Sequence, residues 1–315
     1  MQKIMLDYAS ADGDILNMAT PTISVVIPSY NESEYLPKLL ECLKLQTFRD
    51  FEIIVADNNS DDGTPDIARS FGARVVAGGM PAEGRNHGAK ASKGEYIFFF
   101  DSDVKIAQGF LKNALKEMQA RKAELATCAT FPLSNLSLDR FMHTVANFFV
   151  KINLENDPHA PGFCILVSRR VFDAVGGFNE KLTLAEDHDF VKRAAKHAPL
   201  VFLENVHLLV SVRRYRKEGR LDYMKKVVQI TAYRMRHGEI SDDTFEYKFG
   251  DFKHSDESHL RNLEEQINKL DQAVMKFRKR NLYPMAHGDE PELVTKAKKQ
   301  IHELNERILA LFEGE

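Results

Sequence analysis

The chain's 315 residues exceed one typical domain, and a hydrophobic fraction of 43% beside a charged fraction of 28% supplies enough apolar material for a sizeable core. A formal net charge of -3 argues against a protein that coats nucleic acid, and Cys42, Cys128 and Cys164 are too scattered for a disulfide framework or a structural zinc. No run reaches the roughly 18 apolar residues that a membrane-spanning helix needs, and Asp7, Asp12 and Asp14 interrupt any signal-peptide core, so the expected location is the cytoplasm.

In chain order, residues 1–21 read as a partly ordered leader. Residues 23–28 form a β-branched strand, 35–46 a helix, and 51–56 a second strand that ends on Asp57. Residues 64–71 read as a helix capped by Thr64 with Pro65 at its first position, and 74–76 as a third strand. A helix over 84–92 leads to the apolar run Tyr96-Ile97-Phe98-Phe99-Phe100, which stops on Asp101-Ser102-Asp103. Strands alternating with helices at this spacing predict an α/β fold, a doubly wound and mostly parallel sheet with helices on both faces.

Further on, residues 138–154 carry Phe141, Val145, Phe148, Phe149 and Ile152 on one broad helical face, which could cover an acceptor or simply pack on the core. Glu186 and Asp187 precede the helical beat Phe190, Val191, Ala194, Ala195. Residues 206–212 read as a late strand, followed by the basic cluster Arg213, Arg214, Arg216, Lys217 and Arg220. Residues 221–236 mix apolar positions with Lys225, Lys226, Arg234 and Arg236, compatible with packing on the domain or with peripheral contact at the inner, anionic face of a membrane. Beyond residue 255, Leu260, Leu263, Ile267, Leu270, Val274 and Phe277, then Val294, Ala297, Ile301, Leu304, Ile308 and Leu311, beat in heptad steps around a Pro- and Gly-containing break. The division is therefore a leader over 1–21, an α/β domain over 22–220, a connecting segment over 221–254 and a helical hairpin over 255–315. That hairpin either joins two copies as a homodimer or packs within one chain.

In sheets of this kind, ligands bind beyond the carboxyl ends of the strands. Three loops fall there: 28–32, 57–64 and 101–103. Alternate residues past a strand point the same way, so Asp101 and Asp103 can flank one spot. Carboxylates without a histidine or thiolate cage suit a hard cation, Mg²⁺ or Mn²⁺, although the same triplet also makes turns and helix caps. His207, among apolar neighbours, is either structural or an extension of that metal site.

Several motifs in sequence resemble one family. Ile23-Ser24-Val25-Val26-Ile27-Pro28-Ser29-Tyr30-Asn31-Glu32 is similar to the first strand and loop of family 2 glycosyltransferases of the GT-A fold. Asp57-Asn58-Asn59-Ser60-Asp61-Asp62-Gly63-Thr64 resembles their second loop. Gly84-Arg85-Asn86-His87-Gly88-Ala89 and Gly94-Glu95-Tyr96 resemble the approach to their metal triplet, and Gly176-Gly177-Phe178-Asn179-Glu180 with Glu186-Asp187 their acceptor-side motif. The resemblance implies a transferase that moves a sugar from a UDP- or GDP-linked donor to an acceptor hydroxyl, such as a lipid-linked sugar or a polysaccharide precursor. It implies that Pro28, Tyr30 and Glu32 line the nucleotide pocket, that Asp57 accepts the base N–H, and that Arg85 reaches the base or diphosphate. Asp101 would contact ribose or a metal-bound water, Asp103 would ligate the cation, and Arg213 and Arg214 would face the diphosphate. Asp187 would be the base of an inverting transfer, oriented or supported by Glu186. The chain has no tryptophan, and so departs from the Gln-x-x-Arg-Trp motif of processive synthases. Two rivals are a sugar-1-phosphate nucleotidyltransferase, which would need a Gly-rich first loop, and a non-catalytic sugar-nucleotide sensor acting through its helical appendage.

Overall fold

The computed structural model describes residues 20–220 together with 222, 223 and 226. The leader up to residue 19, almost all of the connecting segment with its basic stretch, and the heptad hairpin lie outside the described residues. Within them, β1 (Ile23–Ser29), α1 (Leu36–Lys44), β2 (Phe51–Asp57), α2 (Thr64–Ser70), β3 (Arg74–Ala77), α3 (Pro81–Ala91) and β4 (Tyr96–Phe99) alternate as the sequence predicts. The strands run parallel in the order β3-β2-β1-β4.

The apolar runs explain why. Val25 and Ile27 pack on one face with Phe98 and Phe100, while Val26, Ile97 and Phe99 pack on the other, so each strand is buried on both sides and needs helices above and below. Leu36, Leu39, Leu40 and Leu43 recur at helical spacing and seat α1 on the first of these faces. The sequence begins the third helix at Gly84; it starts at Pro81, whose fixed φ suits the first turn, with the Glu83 carboxylate accepting the Met80 N–H. Thr64 is not the cap of α2. Gly63 takes the cap position at a left-handed φ of 87°, and Asp62 accepts both the N–H and the hydroxyl of Thr64.

The second half adds β5 (Val104–Ile106), α4 (Phe110–Ala120), β6 (Leu125–Pro132), α5 (Ser137–Ile152), β7 (Ile165–Ser168), α6 (Arg169–Val175), α7 (Glu186–Ala194), β8 (Leu200–Val210) and α8 (Arg213–Glu218). The complete sheet runs β3-β2-β1-β4-β7-β6-β8-β5. Here pairing is mixed: β7 is antiparallel to β4 and β6, β5 is antiparallel to β8, and β6 and β8 are parallel. The sequence places the late strand at 206–212, whereas β8 starts at Leu200. Glu204 and Asn205 give the appearance of a turn because they bulge out of the ladder, and their backbone N–H groups bond the Glu117 carboxylate instead. Among the described residues, no helix is long and apolar enough to cross a membrane.

One feature of the topology positions the site. After β4 the chain leaves the sheet interior and re-enters as β5 at the far edge, so 101–103 is thrown across the carboxyl ends of the strands. It is pinned at Ser102, whose hydroxyl lies 2.8 Å from that of Ser29, and at Asp103, whose carbonyl accepts the Ser211 N–H at 3.1 Å.

Candidate active site

The ends of β1 and β2 meet in register, with Ser29 opposite Asp57. Asn31 adopts a left-handed φ of 52°, and its N–H bonds Ser60 Oγ while its Oδ1 accepts the Asp61 N–H, which ties the first two loops together. Asp57 is 8% exposed; Oδ2 accepts the Ser60 N–H at 3.0 Å and Oδ1 the Ser60 hydroxyl at 2.6 Å. Those bonds fix the carboxylate's orientation and leave lone pairs for a further donor. Tyr30, 41% exposed, offers an aromatic surface next to this loop, and Pro28 packs toward α3 at Gly84.

Two guanidiniums organise the acids beyond. Arg213, at the start of α8, bonds Glu32 through both Nη atoms at 2.7 and 2.5 Å and meets Asp103 Oδ2 through Nε at 2.9 Å. Arg85, on α3, is buried and donates to Asp101 Oδ1 at 3.1 Å and Glu186 Oε1 at 2.7 Å. Burial raises the pKa of Glu32 and of Asp103, opposed by Arg213 and reinforced by the neighbouring carboxylates. Burial, then the charge of Asp187, likewise raises Glu186. The Asp187 carboxylate is held on both oxygens, Oδ2 by the Gly162 N–H at 2.7 Å and Oδ1 by the His188 N–H at 2.8 Å. A Cβ at position 162 would come within 2.4 Å of Arg85 Nη2, so glycine there lets the guanidinium and the Asp187 loop share one corner.

The fold therefore brings Glu32, Asp101, Asp103, Glu186, Asp187, Arg85 and Arg213 to one sheet edge, with Asp57 and Tyr30 beside them. Arg214 adjoins the cluster, since its charge acts on Asp103 and on Tyr223. Arg85 turns its two Nη atoms to the carboxylates of Glu186 and Asp101. One expectation needs correction. His207 is not at the metal triplet: it projects from β8 as an exposed ring edge-on to Phe131, four residues before Ser211, or about 13 Å along a strand. Sequence reasoning missed Gly162 and Ser60, which orient the two key aspartates, and Tyr35, whose ring lies 4.4 Å from the Arg213 guanidinium carbon. Pro161-Gly162 carries a turn signal that could have flagged the first; Tyr35 had no signal beyond its place at a helix start.

The donor set fits a hard divalent cation in kind: Glu32, Asp101 and Asp103 offer only oxygen, and their mutual repulsion in a buried setting calls for positive charge. Among the described residues no three histidine, cysteine, aspartate or glutamate side chains converge as a ready-made metal cage. Arg213, set between Glu32 and Asp103, supplies the positive charge here.

Residues 24–176 match the model of the family described as Glycosyl transferase family 2. The glycosyltransferase AglE of Haloferax volcanii is 29% identical over 189 residues, covering 55% of this chain and 61% of that protein. The glycosyltransferase GlyG of Streptococcus pneumoniae serotype 4 is 32% identical over 111 residues, 33% of this chain and 37% of its own. The chain thus spans less than two thirds of the curated relatives it matches. Among solved structures, S. aureus TarS 1-349 in complex with UDP-GlcNAc shares the fold at a TM-score of 0.51 and 22% identity, over 61% of this chain and 59% of that one. The mannosyltransferase PcManGT from Pyrobaculum calidifontis, in complex with GDP-Man and Mn²⁺, does so at 0.53 and 17%, over 93% and 84%. With its motifs in order and its mixed sheet carrying acids at one edge, the chain has the GT-A fold, and its residues 24–176 match glycosyl transferase family 2.

Proposed function

We propose that the protein transfers a sugar from a UDP- or GDP-linked donor to an acceptor hydroxyl, with inversion and with Mn²⁺ or Mg²⁺. The observation that carries this reading is the Arg85 bridge, which joins Asp101 on the donor loop to Glu186 beside Asp187 and so makes the two halves of the reaction one rigid unit. Asp57 accepts the imide N–H that uracil and guanine both offer, and Tyr30 flanks the base. Asp103, with Glu32 and Asp101, would hold the cation. When bound, that cation neutralises the diphosphate as its charge grows in bond cleavage. Arg213 and Arg214 present guanidinium forks to the diphosphate oxygens. Asp187, held by the two backbone N–H donors, takes the proton of the attacking hydroxyl. Glu186 is spent on Arg85 and positions the corner.

A screen of UDP- and GDP-sugars with Mn²⁺, in which water serves as a slow acceptor, tests the assignment. One donor class should release its nucleoside diphosphate, and Asp187→Asn should slow that release by about 10²- to 10⁴-fold, the range for a general base, while calorimetric donor binding persists. Unchanged hydrolysis in Asp187→Asn removes that residue from the mechanism, and absence of binding by either donor class removes the function.

A further inference from the structure

Arg213 occupies the place where a cation is needed. Its fork is bidentate on Glu32, its Nε is on Asp103, and its guanidinium carbon lies over the Tyr35 ring, so acids and an aromatic surface fix it together. A divalent ion would need the same oxygens. Guanidinium and ion therefore compete for one set of acceptors. Without either, Glu32 and Asp103 would face each other as half-buried carboxylates with no counter-charge between them.

The element that carries Arg213 is short and lies at the surface of the domain. Helix α8 has six residues and none of them is buried. It is held by Tyr215, in its first half, whose hydroxyl lies 3.2 Å from His143 Nε2, and by Arg220, just past its end, whose Nε donates to the fully buried Asp139 at 2.8 Å. The segment is thus anchored behind the site and ends in a long side chain in front of it. A nucleoside diphosphate offers that side chain an alternative partner, because phosphate oxygens match a guanidinium fork as carboxylates do.

Resting on the function proposed above, we infer that Arg213 is an exchangeable counterion: it closes the Glu32–Asp103 pair to a divalent cation until a nucleoside diphosphate draws the guanidinium away. Cation and diphosphate then bind as one coupled event, and neither gains much from the site alone. The coupling is reciprocal, since whatever the diphosphate adds to cation affinity the cation adds to diphosphate affinity.

The test is a titration of the full chain with Mn²⁺, followed by electron paramagnetic resonance of the free ion, with and without UDP or GDP. Wild type should bind Mn²⁺ about tenfold more tightly when the right diphosphate is present. Arg213→Gln should bind Mn²⁺ alone about tenfold more tightly than wild type does and gain little more from the diphosphate. Where Arg213→Gln does not fold, Tyr35→Leu decides: it keeps every carboxylate but removes the surface under the fork, and should tighten binding of Mn²⁺ alone by a smaller factor. If the deciding variant binds Mn²⁺ alone no better than wild type while the diphosphate still enhances wild type, the counterion role is overturned and the proposed function stands. If wild type binds no Mn²⁺ with either diphosphate, the proposed function fails first.

Discussion

Arg85 illustrates what a single side chain does here. It is 4% exposed, its Nε has no partner among the described residues, and its charge is shared between Asp101 and Glu186, which lie 16 and 101 positions away in sequence. Asp101 keeps broad contact with solvent at 37% side-chain exposure, whereas Glu186, at 13%, keeps little. Loss of the guanidinium therefore strands Glu186. Arg85→Met is expected to lower stability in urea denaturation by about 3–5 kcal/mol, the cost of breaking a buried pair from one side. Adding Glu186→Leu should restore most of that loss without restoring donor hydrolysis. A cost under about 1 kcal/mol for Arg85→Met would show that the pair does not hold the corner together. The motif at 84–89 marked this arginine as important, but its direction was not legible. Neither partner is near in sequence, so the bridge could not be read from the motif alone.

At the scale of elements, α5 and α8 depend on each other through His143. Its Nδ1 lies 2.9 Å from Thr130 Oγ1 on β6 and its Nε2 3.2 Å from the Tyr215 hydroxyl on α8, with Asp139 the nearby charge on its own helix. Burial lowers its pKa to about 4, against a weaker pull upward from Asp139. The unfolded chain then binds more protons than the native one between about pH 6.5 and 4, so stability falls as pH falls through that window. The loss reaches about 3 kcal/mol at its low end. His143→Gln, which keeps a donor and an acceptor but cannot charge, should flatten the decline of melting temperature between pH 7 and 5; an unchanged slope would move the acid sensitivity elsewhere. The elements themselves were unequally legible. Strands β1, β2 and β4 announce themselves as apolar runs, and β2 and β4 close on acids. Strands β5 and β7, at three and four residues, are too short for any periodicity, and their antiparallel places in the sheet rest on contacts far apart in sequence. The site followed the same rule: Asp57, Asp101 and Asp103 stand at or past strand ends and Glu186 and Asp187 at a helix start, all visible in sequence, while their partners, Gly162, Ser60 and Tyr35, came from packing.

For the molecule as a whole, the question is whether the parallel half and the mixed half unfold together. The ladder between β4 and β7 joins them, and each face of the sheet has a core that crosses the join: Val25 and Ile27 share one with Leu203 and Leu208, and Val26 and Phe99 share the other with Leu200 and Phe190. The candidate site crosses it too, with Glu32, Asp57 and Asp103 on one side and Asp187 and Arg213 on the other. A ligand that binds this site binds only the state in which both halves are folded, so its free energy stabilises both at once. At 100 times its dissociation constant, the cognate nucleoside diphosphate with Mn²⁺ contributes about 2.7 kcal/mol. For a domain of roughly 200 residues that corresponds to a rise in melting temperature of about 5–10 °C. Scanning calorimetry of the full chain should show the catalytic domain melting in one transition, and that transition should move as a whole. Two transitions, of which the ligand moves only one, would mean that the β4–β7 ladder does not couple the halves and that loops 28–32 and 57–64 fold without Glu186 and Asp187.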